Sequence, residues 1–399
     1  MSLIRKTGVV LAVAFAALPG LAQAREAKCV GDLDRPFAEQ IAVCTKAINA
    51  GAFAGRELAT ALNNRGGAYL MSGDFDHARA DFDLAILTDP TYSVPFTGRG
   101  NLYRAKGDLA HAMADYDQSV RLDPSDAEAV NNRGTVYQLT GDLDRALADY
   151  ETAIRLDPSY VIARANRGKL YQAKEDLDRA LADYDEAIRI NPNYGSAYES
   201  RGSVYGARGD QDRAIADYDN AIRINPKSAH AFYNRGSAYM MKGDADHAVA
   251  DFNEATRLDP KDVMSFINRG FAYQVKGDLD HSIADYSEAL RLNPNAVFAL
   301  NNRGLIYRHK GDLDRAIADF SEAIRRESKF AVAYFNRGRA MQDKHDLDRA
   351  IADYDQAIRL EPTYALALHW RGMAKRAKGD AAGGDADIAA AKKLDPGLD

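Results

Sequence analysis

The chain has 399 residues and carries 52 Lys and Arg against 58 Asp and Glu, a formal net charge of −6. Charged residues of both signs are mixed along the whole sequence. This mildly acidic balance disfavours nucleic acid as a partner, because binding to phosphates requires a basic surface.

Residues 1–24 have the pattern of a secretory signal peptide. Arg5 and Lys6 precede an apolar run, and Ala22-Gln23-Ala24 has the form of a cleavage site. The apolar run is too short to span a membrane. Cleavage would remove two cations and no acid, leaving a net charge of −8. We expect an exported protein with no membrane span, located in a bacterial periplasm.

Both cysteines of the chain, Cys29 and Cys44, fall in the segment 25–58 that follows the predicted signal peptide. In an oxidising compartment such a pair predicts a disulfide. Two free thiols are the alternative. The stretch 36–51 has the pattern of a helix and would carry Cys44.

From there on the sequence repeats with a period of 34 residues. An Arg-Gly dipeptide recurs at this spacing, with its glycine at 66, 100, 134, 168, 202, 236, 270, 304, 338 and 372. A period of this length indicates a repeat architecture. The repeats, numbered 1 to 10, are 59–92, 93–126, 127–160, 161–194, 195–228, 229–262, 263–296, 297–330, 331–364 and 365–398.

Each repeat contains two helical patterns. In repeat 3, Val130, Gly134 and Tyr137 lie on one face of a first helix, and Gly141-Asp142 ends that helix and caps the next. A second amphipathic pattern follows, and Pro158 closes the repeat, since proline cannot continue a helix. The sequence therefore predicts an all-α chain of helix pairs.

Ten repeats in register resemble the tetratricopeptide repeat (TPR) family. Glycine stands at position 8 of all ten, tyrosine at position 11 of eight, and proline at position 32 of nine. The resemblance implies a right-handed TPR superhelix, or α-solenoid, with an N-terminal capping helix. It also implies that positions 2, 6, 9 and 13 of each first helix line a concave groove, the usual ligand surface of such repeats.

Position 6 is asparagine in seven repeats. A carboxamide offers a donor and an acceptor together and so matches one peptide group of an extended ligand. The repeats of O-linked N-acetylglucosamine transferase have a similar asparagine ladder, but this chain has no region resembling a glycosyltransferase. The alternative is that these amides bond neighbouring backbone or helix ends. The ladder comprises Asn64, Asn132, Asn166, Asn234, Asn268, Asn302 and Asn336.

Repeats 6 to 8 place apolar residues around the same stripe. Exposed apolar patches mark binding sites, and methionine adapts to varied ligands. We expect these side chains to anchor a ligand, the alternative being that they pack between neighbouring helix pairs. They are Tyr233, Met241, Met264, Phe271, Phe298 and Leu305.

Arginine at position 7 and aspartate at position 23 occur in all ten repeats, as in Arg133 with Asp149 and Arg303 with Asp319. A catalytic site would need one pair unlike the others. Ten equivalent pairs instead predict a structural ladder of ion pairs, each contributing about 0–1 kcal/mol if it is exposed. Histidines recur at position 19, where other repeats have arginine, a pattern typical of solvent-facing positions. We therefore expect no metal, no cofactor and no enzyme activity.

These patterns favour a non-enzymatic scaffold or adaptor for protein–protein interaction. Its groove would bind an extended peptide or protein segment, in a role in cell-envelope assembly. The alternative is a structural protein that self-associates, with the groove filled by a second copy. One junction is irregular, because Ser328 replaces the proline that ends the other repeats. It is a candidate bend.

Overall fold

A computed structural model describes Cys29 and residues 35–398. The predicted signal peptide lies outside these residues. Within them the chain forms 21 α-helices and no strand, which confirms the all-α prediction. None of the described helices combines the length and the apolar character needed to cross a lipid bilayer.

The helices follow one another with short turns. They are α1 Phe37–Asn49, α2 Gly55–Ser72, α3 Phe75–Thr88, α4 Val94–Ala105, α5 Leu109–Leu122, α6 Ala127–Leu139, α7 Leu143–Leu156, α8 Val161–Ala173, α9 Leu177–Ile190, α10 Gly195–Ala207, α11 Gln211–Ile224, α12 Ala229–Met241, α13 Ala245–Leu258, α14 Val263–Val275, α15 Leu279–Leu292, α16 Val297–His309, α17 Leu313–Arg326, α18 Ala331–Asp343, α19 Leu347–Leu360, α20 Ala365–Ala377 and α21 Ala381–Leu394.

Helix α1 lies ahead of the repeats and packs on α2. A disulfide joins Cys29 to the buried Cys44 of this helix. Helix α2 begins at Gly55, four residues before the start of repeat 1 derived from the 34-residue period. From α2 onward each repeat contributes one helix pair.

Close packing inside a pair depends on glycine at position 8. A Cβ atom built on Gly304 would lie 2.7 Å from the ring of Phe320 in the second helix, closer than side chains tolerate. The two helices can therefore approach only without a side chain there. At the turn between them Gly311 has a φ of +78°, the left-handed conformation that glycine adopts without strain. Asp312 then caps α17 by accepting a hydrogen bond from the backbone N–H of Arg315.

The chain divides into two compact units, one ending at Pro192 and the other beginning at Asn193. Within each unit, the first helices of successive repeats contact each other. Examples are the contact of α2 with α4 and that of α16 with α18. Second helices of successive repeats make no comparable contacts in the described part of the chain. The first helices thus form a continuous face in each unit. We call its positions 2, 6, 9 and 13 the inner face.

The position-7 arginine joins the two helices of every repeat. Nε and Nη2 of Arg303 donate to the two carboxylate oxygens of Asp319, both at 2.8 Å. The hydrogen bonds to this buried carboxylate raise the pKa of Arg303. Corresponding pairs, with Nη2–Oδ1 distances of 2.6–2.8 Å, are Arg65–Asp81, Arg99–Asp115, Arg133–Asp149, Arg167–Asp183, Arg201–Asp217, Arg235–Asp251, Arg269–Asp285, Arg337–Asp353 and Arg371–Asp387.

The remaining nitrogen of this arginine reaches back to the preceding repeat. Nη1 of Arg303 donates to Oγ of Ser287 at 2.9 Å, and Nη1 of Arg371 to Asp355 at 2.7 Å. One guanidinium therefore fixes both the helix pair and its contact with the neighbour. The aspartates of these pairs are buried, so the contribution of about 0–1 kcal/mol expected of an exposed pair does not apply to them.

The irregular repeats keep the same local geometry. Glu327, beside Ser328, has φ −134° and ψ 91°, close to Asp157 at the equivalent turn of repeat 3, with −131° and 96°. His345 replaces the turn glycine of repeat 9 and is held at a φ of +62°. Met341 replaces the position-11 tyrosine of that repeat and is buried. The residue before Ser328 thus keeps the backbone conformation found at the equivalent turn of repeat 3.

Replacing Asp319 by alanine should destabilise the protein by roughly 2–4 kcal/mol. It leaves the mostly buried Arg303 guanidinium without its counterion, although Arg303 keeps some contact with solvent. The midpoint of urea unfolding measures the effect. Glu288→Ala, which removes an ion pair with Arg291 on an exposed surface, is the control and should shift the midpoint far less. Equal shifts would contradict the structural role of the buried pair.

Candidate ligand-binding face

The ladder asparagines all lie on first helices, and six of the seven are partly accessible. Asn336 departs from the expectation. Only 7% of it is exposed, and its amide donates to Oδ1 of the buried Asn301 at 2.8 Å. The partly accessible residues are Asn64, Asn132, Asn166, Asn234, Asn268 and Asn302.

Each ladder amide has a partner inside the protein. The commonest partner is position 5 of the preceding repeat, as when Nδ2 of Asn268 donates to the Tyr233 hydroxyl at 3.0 Å. Asn64 donates in the same direction to the carbonyl of Cys29 at 2.9 Å. Asn234 instead contacts the ring of His230 in its own helix. The alternative, bonding to neighbouring backbone, thus applies to Asn64, whereas most of the other amides bond side chains of the preceding repeat.

Where two asparagines occur in succession, the bonds join into a chain. In repeats 9 to 7, Asn336 donates to Asn301, Asn301 to Asn302 at 3.3 Å, and Asn302 to the Tyr286 hydroxyl at 3.4 Å. A carboxamide has two N–H donors and an acceptor oxygen with two lone pairs, so these bonds do not exhaust it. The chain holds Asn302 in a fixed orientation with hydrogen-bonding capacity left for a ligand.

A matching chain occurs in the first compact unit. Asn166 donates to Asn131 at 3.0 Å, Asn131 to Asn132 at 3.1 Å, and Asn132 to Asn101 at 3.1 Å. The hydroxyl of Tyr116 donates to the same Asn101 oxygen at 2.7 Å. Both chains pass through an Asn-Asn pair at positions 5 and 6 of a repeat.

The apolar candidates of repeats 6 to 8 are mostly exposed. Met241 is 75% exposed, Phe298 63%, Met264 50% and Phe271 46%. Leu305 is half-buried against the cluster around Tyr307, and Tyr233 is half-buried against Phe252. Four of the six thus lie open to a ligand, whereas two also serve packing.

Val275 belongs to the same surface and was missed from the sequence. It occupies position 13 of repeat 7, one repeat beyond Met241 in register, and is 55% exposed. The register of position 13 could have identified it. Two shallow cavities of about 350 Å³ each lie beside this surface, one bordered by Tyr233 and Met264 and the other by Leu305 and His309.

The buried tyrosines at position 24 present their hydroxyls beside the inner face. The ring of Tyr286 is fully buried, and its hydroxyl donates to Oε1 of Gln274 at 3.4 Å. Burial raises the pKa of Tyr286 to about 12, against an opposing contribution from the Asn302 amide. Tyr150 and Tyr354 donate in the same way to glutamines at position 12. These hydrogen bonds hold the glutamine side chains in place beside the inner face.

The position-19 histidines lie elsewhere. His247 and His281 are exposed and stack on the position-11 tyrosines of their repeats, with ring centroids about 5.0 and 5.1 Å apart. Each also contacts the aspartate that caps its helix. The described residues contain no group of three or more side chains suited to hold a metal ion.

Alkaline pH should weaken the fold through these tyrosines. A pKa raised from 10.0 to about 12 means that the native state favours the neutral phenol of Tyr286. Its stabilising effect is complete below pH 10 and is lost as the pH rises towards 12, a change of about 2–3 kcal/mol.

The Tyr286→Phe variant should lose less stability than the wild type between pH 9 and pH 11, measured by urea unfolding at each pH. Phenylalanine is tolerated at this position, as Phe252 and Phe320 show in other repeats. Tyr273→Phe, at the half-buried position that stacks on His281, is the control. An unchanged pH dependence in Tyr286→Phe would contradict the effect of burial.

Profiles of the tetratricopeptide repeat match large parts of this chain. One described as "TPR repeat" matches residues 100–141 and 202–243, and two described as "Tetratricopeptide repeat" match 131–195 with 268–331, and 229–262 with 331–364. Together they span 100–195, 202–262 and 268–364, more than half of the chain. No curated protein matches it.

Several solved structures are similar in fold. YrrB, described as a TPR protein with an unusual peptide-binding site, is 24% identical over 47% of this chain and 97% of YrrB, with a TM-score of 0.40. A TPR protein from Parabacteroides merdae is 21% identical over 71% of this chain and 98% of that protein, with a TM-score of 0.41. MamA is 29% identical over 41% of this chain and 96% of MamA, with a TM-score of 0.36.

These likenesses carry no information about a ligand. The family follows from the repeat profiles, which agree with the described succession of helix pairs. The chain belongs to the tetratricopeptide-repeat family.

Proposed function

We propose that this protein is a non-enzymatic scaffold that binds an extended peptide or protein segment along the inner face of repeats 6 to 8. The observation that carries the proposal is the exposure of Met241, Met264, Phe271, Val275 and Phe298 on that face. Exposed apolar side chains of this size, gathered in one region, favour an interaction site.

The asparagines supply the polar part of the proposed site. Asn268 and Asn302 stand between the apolar anchors of repeats 7 and 8 and are held in orientation by tyrosine hydroxyls. Amides fixed in this way can pair with ligand peptide groups at a small entropic cost. Backbone contacts would hold any extended segment, whereas the apolar anchors would select among segments.

Phe271→Ser combined with Phe298→Ser should change which peptides are captured from a library of short random peptides. The wild type should enrich peptides with large apolar residues, and the double variant should lose that enrichment. Leu87→Ser combined with Leu360→Ser is the matched control, because it removes exposed apolar side chains from second helices. The proposal fails if the wild type captures no peptides above background, or if both double variants behave alike.

A variant that combines Asn234→Ala, Asn268→Ala and Asn302→Ala should bind the captured peptides more weakly. The loss of affinity should be similar for all of them, whatever their sequence. Three hydrogen bonds to backbone groups predict a loss of roughly 10- to 1,000-fold in affinity. Asn132→Ala with Asn166→Ala is the control, since these amides also bond a neighbouring repeat but lie outside repeats 6 to 8. Retained affinity in the triple variant would show that the ladder only joins repeats.

The same face could instead be filled by a second copy of the chain. Light scattering over a range of protein concentrations separates the two occupants. A dimer that dissociates in the Phe271→Ser, Phe298→Ser variant would identify self-association. A monomer at all concentrations would leave the face free for a peptide.

We further propose that the protein is exported and acts in the cell envelope. The signal-peptide pattern and the Cys29–Cys44 disulfide support this, because disulfides form and persist in oxidising compartments. Thiol labelling of the protein isolated without reductant should find no reactive cysteine, and labelling after denaturation with reductant should find both. Full labelling of denatured protein without reductant would contradict export to an oxidising compartment.

A further inference from the structure

One arginine on the inner face differs from every position-7 arginine. Arg339 occupies position 9 of repeat 9 and has no carboxylate partner in the described part of the chain. Its Nε is enclosed and makes no hydrogen bond, whereas its terminal nitrogens are not enclosed. A half-buried cation without a counterion is costly, unless something else stabilises its charge.

An aromatic ring stabilises the charge of Arg339 in part. The guanidinium carbon of Arg339 lies 3.3 Å from the ring centroid of Trp370, which stands at position 6 of repeat 10 in place of the usual asparagine. Stacking uses the flat face of a guanidinium and leaves the N–H groups at its edge directed outward. Such an edge fits a carboxylate, which it can bind through two parallel hydrogen bonds.

The surroundings are positive. Burial, and after it the positive charge of Arg308, lower the pKa of Arg339. Nε of Arg308 donates to the Asp343 carboxylate at 2.6 Å, so this acid is already paired and acts on Arg339 only at longer range. The cluster of Arg308, Arg339 and Asp343 thus carries one positive charge in excess.

Register places this cluster at the end of the apolar row. Position 9 is Phe271 in repeat 7, Leu305 in repeat 8 and Arg339 in repeat 9. All three lie in the second compact unit. A ligand extended along the inner face would therefore meet apolar side chains first and an unpaired cation one repeat later.

We propose that Arg339, stacked on Trp370 and supported by Arg308, binds a carboxylate of the peptide ligand. This inference rests on the proposed function and names a chemical feature of its partner. The carboxylate would be either the C-terminus of the ligand or the side chain of an aspartate or glutamate that follows its apolar residues.

The experiment uses Trp370, the only tryptophan of the chain, as the reporter. N-acetylglycine supplies a terminal carboxylate, N-acetylglutamic acid α-amide supplies a side-chain carboxylate, and N-acetylglutamine amide is the neutral control. All titrations are made at one ionic strength balanced with chloride. We expect a saturable change of Trp370 fluorescence with one or both carboxylates and none with the neutral amide. The probe that saturates at the lower concentration identifies the source.

Arg339→Met should weaken carboxylate binding at least about tenfold, the effect of losing a charged hydrogen-bond partner. Arg339→Lys keeps the charge but not the planar stack, and should bind with intermediate strength. Arg291→Met, a change at an exposed surface pair, should behave as the wild type. Circular dichroism verifies that each variant is folded. If Arg339→Met does not fold, the comparison of the wild type with Arg339→Lys decides.

The inference is overturned if the wild type shows no saturable change, if the neutral amide gives the same change, or if Arg339→Met binds as the wild type does. If the wild type and Arg339→Lys bind the carboxylate with equal affinity, the proposed role of the stacked guanidinium in binding is overturned. A failure of this inference can be distinguished from a failure of the proposed function. Peptides captured through repeats 6 to 8 without any preference for a carboxylate would refute only the inference, whereas carboxylate binding without peptide capture would refute only the proposed function.

Discussion

The buried arginine–aspartate pair is the interaction on which the rest of the array depends. In each repeat the arginine binds the aspartate of the second helix through two nitrogens, as Arg303 does Asp319. In several repeats its third nitrogen also reaches the preceding repeat. A chain of this kind has no single central core, so its stability is nearly a sum of terms within and between repeats. This one side chain contributes to both terms, and its desolvation makes each pair costly to break.

The same arrangement leaves the inner face free for other purposes. Glycine at position 8, the aromatic ring at position 24 and the ion pair complete the contact between the two helices of a repeat. Positions 2, 6, 9 and 13 take little part in that contact, and their side chains vary from repeat to repeat. Phe271 and Arg339 occupy the same position two repeats apart and differ in every chemical property. Differences between repeats, rather than their shared residues, are therefore where ligand specificity can reside.

The 34-residue period was sufficient to predict the helix pairs, the buried faces and the position-7 pairing, because these depend on contacts inside one repeat. The partners of the asparagines could not be predicted, since they depend on what the preceding repeat offers 35 residues earlier. That partner is a carbonyl for Asn64, a phenol for Asn268 and another amide for Asn166. The burial of Asn336 could not be predicted either, since Asn166 makes the equivalent bond to the buried Asn131 and is still partly accessible.

Asparagine at position 6 can serve both a repeat contact and a ligand, because an amide bonded once still has donors and acceptors to offer. In repeat 10 that position is Trp370, which cannot continue the amide chain. Its ring instead covers the guanidinium of Arg339 from repeat 9. At this junction the contact between repeats is therefore a guanidinium stacked on an aromatic ring, where other junctions have a neutral amide hydrogen bond. Moving along position 9 of repeats 7, 8 and 9, the inner face changes from apolar to cationic, and this change would give the proposed extended ligand one preferred direction.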